Sequence, residues 1–206
     1  LEKFFDNVPQ DKLMTLVHNL INDPDIESLI RKYLNAGVMI KGKYEATTKG
    51  TPQGGNLSPL LSNIMLNELD IELEKRGLNF VRYADDCLIM VKSEKAANRV
   101  MESITTFITR KLGLKVNVEK SKIARPNEIK YLGVGFYKRI NQNVWRPKPH
   151  IKSVEKFKAK LRVILVRSKS ISLKERLLRI KYLIYGWVNY FRIADMKIIM
   201  ERIILE

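Results

Sequence analysis

Apolar residues recur along the chain at two spacings. From Asp11 to Ile21 they fall at Leu13, Leu16, Val17, Leu20 and Ile21, the stripe of an amphipathic helix. Asp23-Pro24 is a helix N-cap followed by proline at the first helical position, and it opens a second helix to about Asn35. Val38 to Thr48 alternates around Lys41-Gly42 and predicts a β-hairpin. Ser58-Pro59 is expected to cap a long helix with Leu60, Leu61, Ile64, Met65, Leu69 and Leu73 inward, ended by Lys75-Arg76-Gly77. Phe80-Val81 and Cys87–Val91 then flank Asp85-Asp86, which predicts a tight hairpin with both carboxylates at or near its turn.

Glu94 to Leu112 carries Ala97, Val100, Met101, Ile104, Phe107 and Ile108 on one face, with Gly113 as terminator. Tyr131 to Phe136 alternates like a strand, Asn141-Gln142-Asn143 is a turn, and Val144-Trp145 is a return strand. Arg146-Pro147-Lys148-Pro149-His150 breaks the pattern and predicts a boundary, giving domains 1–147 and 148–206. Three helices follow. Ile151, Val154, Phe157, Leu161 and Ile164 mark the first. Leu177, Ile180, Ile184, Trp187 and Phe191 mark the second, opened by the capping box Ser172–Glu175. Met196 to Leu205 is the third. The expected fold class is α+β, with antiparallel strands backed by helices and then a helical bundle.

Composition narrows the class. Hydrophobic residues make up 45 % of 206, enough for a real core, and no apolar run approaches a membrane span. One cysteine excludes an internal disulfide, and with only two histidines it makes a zinc site a poor reading; a reducing, cytoplasmic setting fits. His18 lies beside the first helical stripe and reads as a packing or surface residue. The net charge of +16 is uneven. Residues 1–134 hold 20 Lys and Arg against 17 Asp and Glu, whereas residues 135–206 hold 18 against 5. So cationic a C-terminal third needs an anionic partner, with nucleic acid ahead of an anionic membrane surface.

Two stretches carry chemistry. Carboxylates on a rigid strand edge over an apolar floor suit a hard cation such as Mg²⁺, although a polar turn explains Asp85-Asp86 equally well on its own. In Gly50-Thr51-Pro52-Gln53-Gly54-Gly55-Asn56-Leu57-Ser58-Pro59, the glycines permit close backbone approach to a ligand. Gln53 can hydrogen-bond a base or sugar edge while staying neutral beside phosphates. A loop capping an ordinary helix accounts for Ser58-Pro59 but not for the Thr-Pro-Gln-Gly-Gly block.

Tyr83-Ala84-Asp85-Asp86 resembles the catalytic hairpin of reverse transcriptases, and Gly50–Asn63 resembles the template and nucleotide motif of that family. Leu1–Val8 resembles the end of its first catalytic motif, so the resemblance implies a metal-binding aspartate immediately before Leu1 and makes Phe5 the residue that excludes a ribose 2′-hydroxyl. Gln53, Gly54, Tyr83 and Ala84 would line the nucleotide site. Lys120, before Ser121, would neutralise the leaving pyrophosphate. Tyr131, Leu132 and Gly133 would grip the primer end. Gly186-Trp187-Val188-Asn189-Tyr190-Phe191 is similar to the thumb, or maturase-specific, region of group II intron reverse transcriptases.

The resemblance implies a palm followed by a three-helix thumb. It also implies RNA-directed DNA synthesis with two Mg²⁺ ions held at Asp85, Asp86 and the upstream aspartate, and intron-RNA binding as a splicing maturase. Partners would be intron RNA, template RNA, a DNA primer and deoxynucleotides. Lys152, Lys156, Lys160, Arg162 and Arg167 would contact RNA phosphates. The fingers motifs of the family do not precede the palm in this sequence. The chain alone is therefore expected not to polymerise, and a non-catalytic RNA-binding maturase module stands as the alternative.

Overall fold

Helix caps set the element boundaries in the N-terminal part of the computed structural model, which describes residues 1–40, 43–52, 54–139, 144–166 and 171–205. A short α1 (Phe4–Asn7) leads into α2 (Gln10–Ile21). The Asp23 carboxylate then accepts from the Asp25 and Ile26 amides to open α3 (Pro24–Leu34). Strands β1 (Val38–Ile40) and β2 (Lys43–Glu45) pair antiparallel; the Lys41-Gly42 turn lies outside the described residues. Helix α4 (Ser58–Lys75) follows. It closes in a Schellman arrangement, with the Leu78 amide on the Leu73 carbonyl and the amide of Gly77, at φ +64°, on that of Glu74. Strands β3 (Asn79–Tyr83) and β4 (Asp86–Met90) form a hairpin in register from Asn79↔Met90 to Tyr83↔Asp86. Helix α5 (Glu94–Phe107) ends in a π-helical turn, Ile108–Leu112, capped by Gly113.

These elements belong to a compact unit, residues 1–123. Its core is Leu13, Met14 and Val17 of α2, Ile30 and Leu34 of α3, Leu61, Met65, Leu66, Leu69 and Leu73 of α4, and Ile104, Ile108 and Leu112 beyond them. Two expectations change. Leu60 is 58 % exposed, because the buried stripe of α4 is centred on the Leu61–Met65–Leu69–Leu73 row, about 100° round the helix. The Ser58 hydroxyl does not cap α4, whose N-cap is Leu57; it donates to the Pro52 carbonyl at 2.6 Å instead.

The second unit, residues 124–206, holds β5 (Val134–Arg139), β6 (Val144–Pro149), α6 (Ile151–Leu165), α7 (Leu173–Tyr190) and α8 (Lys197–Leu205). The Asn141–Asn143 turn between its strands lies outside the described residues. Among the described residues the strands of the chain form three separate two-stranded antiparallel pairs, so the α+β class holds without one continuous sheet. Packing divides the chain at 123/124, ahead of the proline-rich 146–150 stretch. The reason is that the β5–β6 hairpin is stitched to the helices: the Ser153 hydroxyl donates to the Gly133 carbonyl at 2.8 Å, and the Asp195 amide to that of Pro147 at 2.9 Å.

Phe157, Trp187 and Phe191 stack in sequence, with ring centroids 5.0 and 4.8 Å apart, and hold α6 to α7. Ile151, at the first turn of α6, and Leu177 of α7 are exposed rather than inward. Glu175 completes only half of the capping box: its amide donates to the Ser172 hydroxyl, while its carboxylate accepts from Arg179. Among the described residues no helix is long and apolar enough to cross a membrane.

Candidate active site

The Asp85-Asp86 pair sits at the tip of β3–β4. Tyr83 and Asp86 are the last cross-strand pair, so Ala84 and Asp85 form a two-residue loop. Ala84 is at φ +51° and Asp85 is not in the left-handed region, the sign pattern of a II′ turn. A positive φ is unusual for alanine, and the neighbours hold it there. The Arg82 guanidinium donates through Nε to Asp70 Oδ1 at 2.7 Å and through a terminal nitrogen to Asp70 Oδ2. Its other terminal nitrogen donates to Asn63 Oδ1 and to the Ala84 carbonyl, each at 3.0 Å. Asp70 and Asn63 are seven residues apart on α4, two turns along one face. The hairpin tip is thus fixed to the best-buried helix of the unit.

Asp85 keeps about a third of its side-chain surface, and Asp86 and Tyr83 are exposed. The backbone nitrogen of Leu1 lies 3.7 Å from Asp85 Oδ2. Oxygen donors of this kind fit Mg²⁺. Asp70 is committed to Arg82, and among the described residues no group of three His, Cys, Asp or Glu side chains gathers around a common point. The donors present therefore fit in kind but need a further ligand, and a residue joined to Leu1 would arrive beside Asp85. Cys87, next along β4, has its thiol pushed up to about 11, first by burial and then by the Asp70 carboxylate.

A second group of elements is tied to the first. The Thr51 amide donates to the Phe5 carbonyl at 2.6 Å and the Gly50 amide to that of Val8 at 2.8 Å. Gln10, buried, donates to both Gly50 and Leu34 carbonyls. The structure therefore brings Phe5 against Gly50-Thr51. Phe4 is core at 3 % exposure, and Phe5 is partly buried against it edge-on. Gln53 lies outside the described residues. Gly54 has φ +80° and open space where a Cβ would go, so only its backbone requires glycine. Gly55 is the reverse: a Cβ there would lie 1.8 Å from the Tyr33 hydroxyl oxygen. That hydroxyl is 2.9 Å from Ser58 Oγ, so α3 and α4 clamp the loop between them.

Lys120 is exposed in a turn, its amide held by Asn117 Oδ1 at 2.9 Å. In the other unit, Tyr131-Leu132-Gly133 is a tight turn and not a continuous strand. Tyr131 and Val134 exchange both backbone hydrogen bonds at 2.9 Å, and Leu132 and Gly133 have φ +48° and +79°, the signs of a I′ turn. The Tyr190 hydroxyl donates to the Leu132 carbonyl at 2.9 Å, which fixes the turn to α7. Lys152, Lys156, Lys160 and Arg162 are exposed on α6, away from buried Val154 and Phe157, and Arg167 lies outside the described residues.

Sequence reasoning missed Arg82, Asp70, Asn63 and Tyr33. A cation inside the apolar strand next to an acidic pair was the available signal for Arg82. Nothing in the pattern marks Tyr33, whose role depends on where α3 lands.

Residues 1–136 match the family model described as reverse transcriptase (RNA-dependent DNA polymerase), and residues 154–204 match the group II intron maturase-specific domain. Protein YkfC of Escherichia coli (strain K12) is 32 % identical over 62 % of this chain and 42 % of its own length. An uncharacterized 91 kDa protein in the cob intron of Schizosaccharomyces pombe is 29 % identical over 68 % of this chain and 24 % of its own. The group II intron-encoded protein LtrA of Lactococcus lactis subsp. cremoris is 28 % identical over 69 % and 35 %. The chain thus spans less than half the length of these curated relatives. With the polymerase match covering most of the chain, the chain belongs to the reverse transcriptase family, and its C-terminal part matches the group II intron maturase-specific domain.

Proposed function

We propose that this chain is the palm and thumb of a group II intron reverse transcriptase that also binds intron RNA as a maturase. The observation that carries the reading is the Asp85-Asp86 tip, braced to α4 and lying beside Leu1. Asp85, Asp86 and an aspartate ahead of Leu1 would hold Mg²⁺. Two such ions, when bound, supply charge neutralisation at the primer 3′-hydroxyl and at the leaving pyrophosphate. Phe5 would stand against the sugar, its position set by the Thr51–Phe5 backbone bond, with Gln53, Gly54, Tyr83 and Ala84 around the nucleotide. Lys120 would offer a cation to the pyrophosphate. The Tyr131–Gly133 turn would hold the primer end, and Lys152, Lys156, Lys160, Arg162 and Arg167 the phosphates of template and intron RNA. We divide these roles at residues 147/148, and place the protein in the cytoplasm on its single unpaired cysteine.

A non-catalytic RNA-binding module is the second reading, favoured by the exposed Lys152, Lys156 and Lys160 on α6. Primer extension separates the two. The chain alone is expected to bind structured RNA without extending a primer. With an aspartate and a fingers segment joined ahead of Leu1, it should extend one, and Asp85→Ala should then abolish synthesis while RNA binding persists. Extension that survives Asp85→Ala would refute the polymerase reading.

A further inference from the structure

We propose that Arg82 is the positioning residue for the metal carboxylates, acting through the Ala84 peptide. The proposal rests on reading Asp85 and Asp86 as metal ligands. Arg82 sits on β3, and its side chain is 12 % exposed. All three of its nitrogens are engaged: Nε and one terminal nitrogen on the Asp70 carboxylate, the other on Asn63 Oδ1 and the Ala84 carbonyl.

Two consequences follow from that geometry. First, the Ala84 carbonyl belongs to the peptide that enters Asp85. Fixing its plane fixes the direction in which the Asp85 side chain leaves the backbone, at a turn whose alanine is held at φ +51°. Second, the Arg82 charge is answered by Asp70. The guanidinium is thereby anchored on α4 while it orients the tip through the Ala84 carbonyl. Asp70 and Asn63 lie on α4, whose Leu61, Met65, Leu66, Leu69 and Leu73 are all at or below 3 % exposure, so the reference frame is the core itself. A lysine cannot reproduce the arrangement. It is a single point donor, whereas the planar fork meets a carboxylate, an amide and a carbonyl together.

The test is Mn²⁺ binding to the purified 206-residue chain with an aspartate joined ahead of Leu1, read as loss of the free-ion signal in electron paramagnetic resonance. Arg82→Lys keeps the charge and should weaken Mn²⁺ about tenfold, the scale on which groups supporting metal ligands act. Asn63→Ala removes one arm of the brace, leaves the Asp70 pair intact, and should weaken it about threefold on the same scale. Asp85→Asn is the control for the site and should abolish tight binding. Thermal melting by circular dichroism identifies which variants fold; if Arg82→Lys does not, Asn63→Ala decides. Wild-type Mn²⁺ affinity in a folded Arg82→Lys or Asn63→Ala, with Asp85→Asn defective, overturns the positioning role and leaves the metal site standing. Unchanged binding in Asp85→Asn overturns the metal reading itself.

Discussion

Gly55→Ala tests whether α3 and α4 clamp the loop that carries Gly54 and Gly55. Gly55 is not in the left-handed region, so alanine costs no backbone strain, and the penalty is steric. The new Cβ would sit 1.8 Å from the Tyr33 hydroxyl oxygen and 2.9 Å from Cζ, where ordinary contact begins at 3.4 Å. The ring must retreat, and the 2.9 Å bond between Tyr33 and Ser58 breaks. Overpacking of this kind costs about 1–3 kcal/mol and the hydrogen bond about 1, so we expect Gly55→Ala to destabilise residues 1–123 by about 2–4 kcal/mol. Tyr33→Phe alone should cost about 1 kcal/mol.

The double variant carries the argument. Gly55→Ala already breaks the bond that Tyr33→Phe deletes, and removing the oxygen relieves the worst overlap. The two should therefore fall short of additivity by about 1 kcal/mol. Urea unfolding measured by far-ultraviolet circular dichroism gives the four stabilities. Trp145 and Trp187 both lie in residues 124–206, so tryptophan fluorescence follows that unit. Strict additivity, or a Gly55→Ala chain as stable as wild type, would refute the clamp. Gly54→Ala provides a contrast, since it should cost about 1 kcal/mol through φ alone and show no coupling to Tyr33.

Two further outcomes are expected in the second unit. His150 Nδ1 accepts the Lys152 amide at the start of α6, and the imidazole pKa is held below its usual value by burial and then by Lys130 and Lys152. A depressed histidine contributes stability above the unfolded pKa of about 6.5, and loses it as pH falls through the folded value. Tryptophan-monitored melting of this unit should weaken on acidification from pH 7 to 5, and His150→Asn, a strong neutral cap, should flatten that dependence. Charge reversal at Lys152, Lys156 and Lys160 together should weaken RNA binding without unfolding, because all three lie off the buried face of α6. In the wild-type chain, if about six phosphates are neutralised, affinity should fall on the order of a thousandfold between 50 and 200 mM salt, and the variant's slope should be shallower by about one per lysine. A slope unchanged by the triple substitution would place the RNA contacts elsewhere.

What the sequence determined was local. Asp23-Pro24 opens a helix and Gly77 and Gly113 close two, because caps and left-handed termini are properties of a few consecutive residues. The apolar spacing specified α2, α4, α5 and α7, and the Tyr83–Asp86 block specified a hairpin tip, since period and turn chemistry need no distant partner. Tertiary structure decided everything that depends on what arrives from elsewhere. Leu60 and Leu177 belong to helical stripes yet face outward, because a stripe gives a direction and not the width of the surface that covers it. Ser58 reads as a cap but is drawn to Pro52 and Tyr33, 25 residues away in the case of Tyr33. Tyr131–Phe136 alternates like one strand, and the Ser153 and Tyr190 bonds to the Gly133 and Leu132 carbonyls hold a turn there instead. Most of all, the acidic pair is visible in the sequence while its brace is not. Arg82 meets Asn63 and Asp70 only after α4 and β3 have packed, and no local pattern records a hydrogen bond made across 12 or 19 residues.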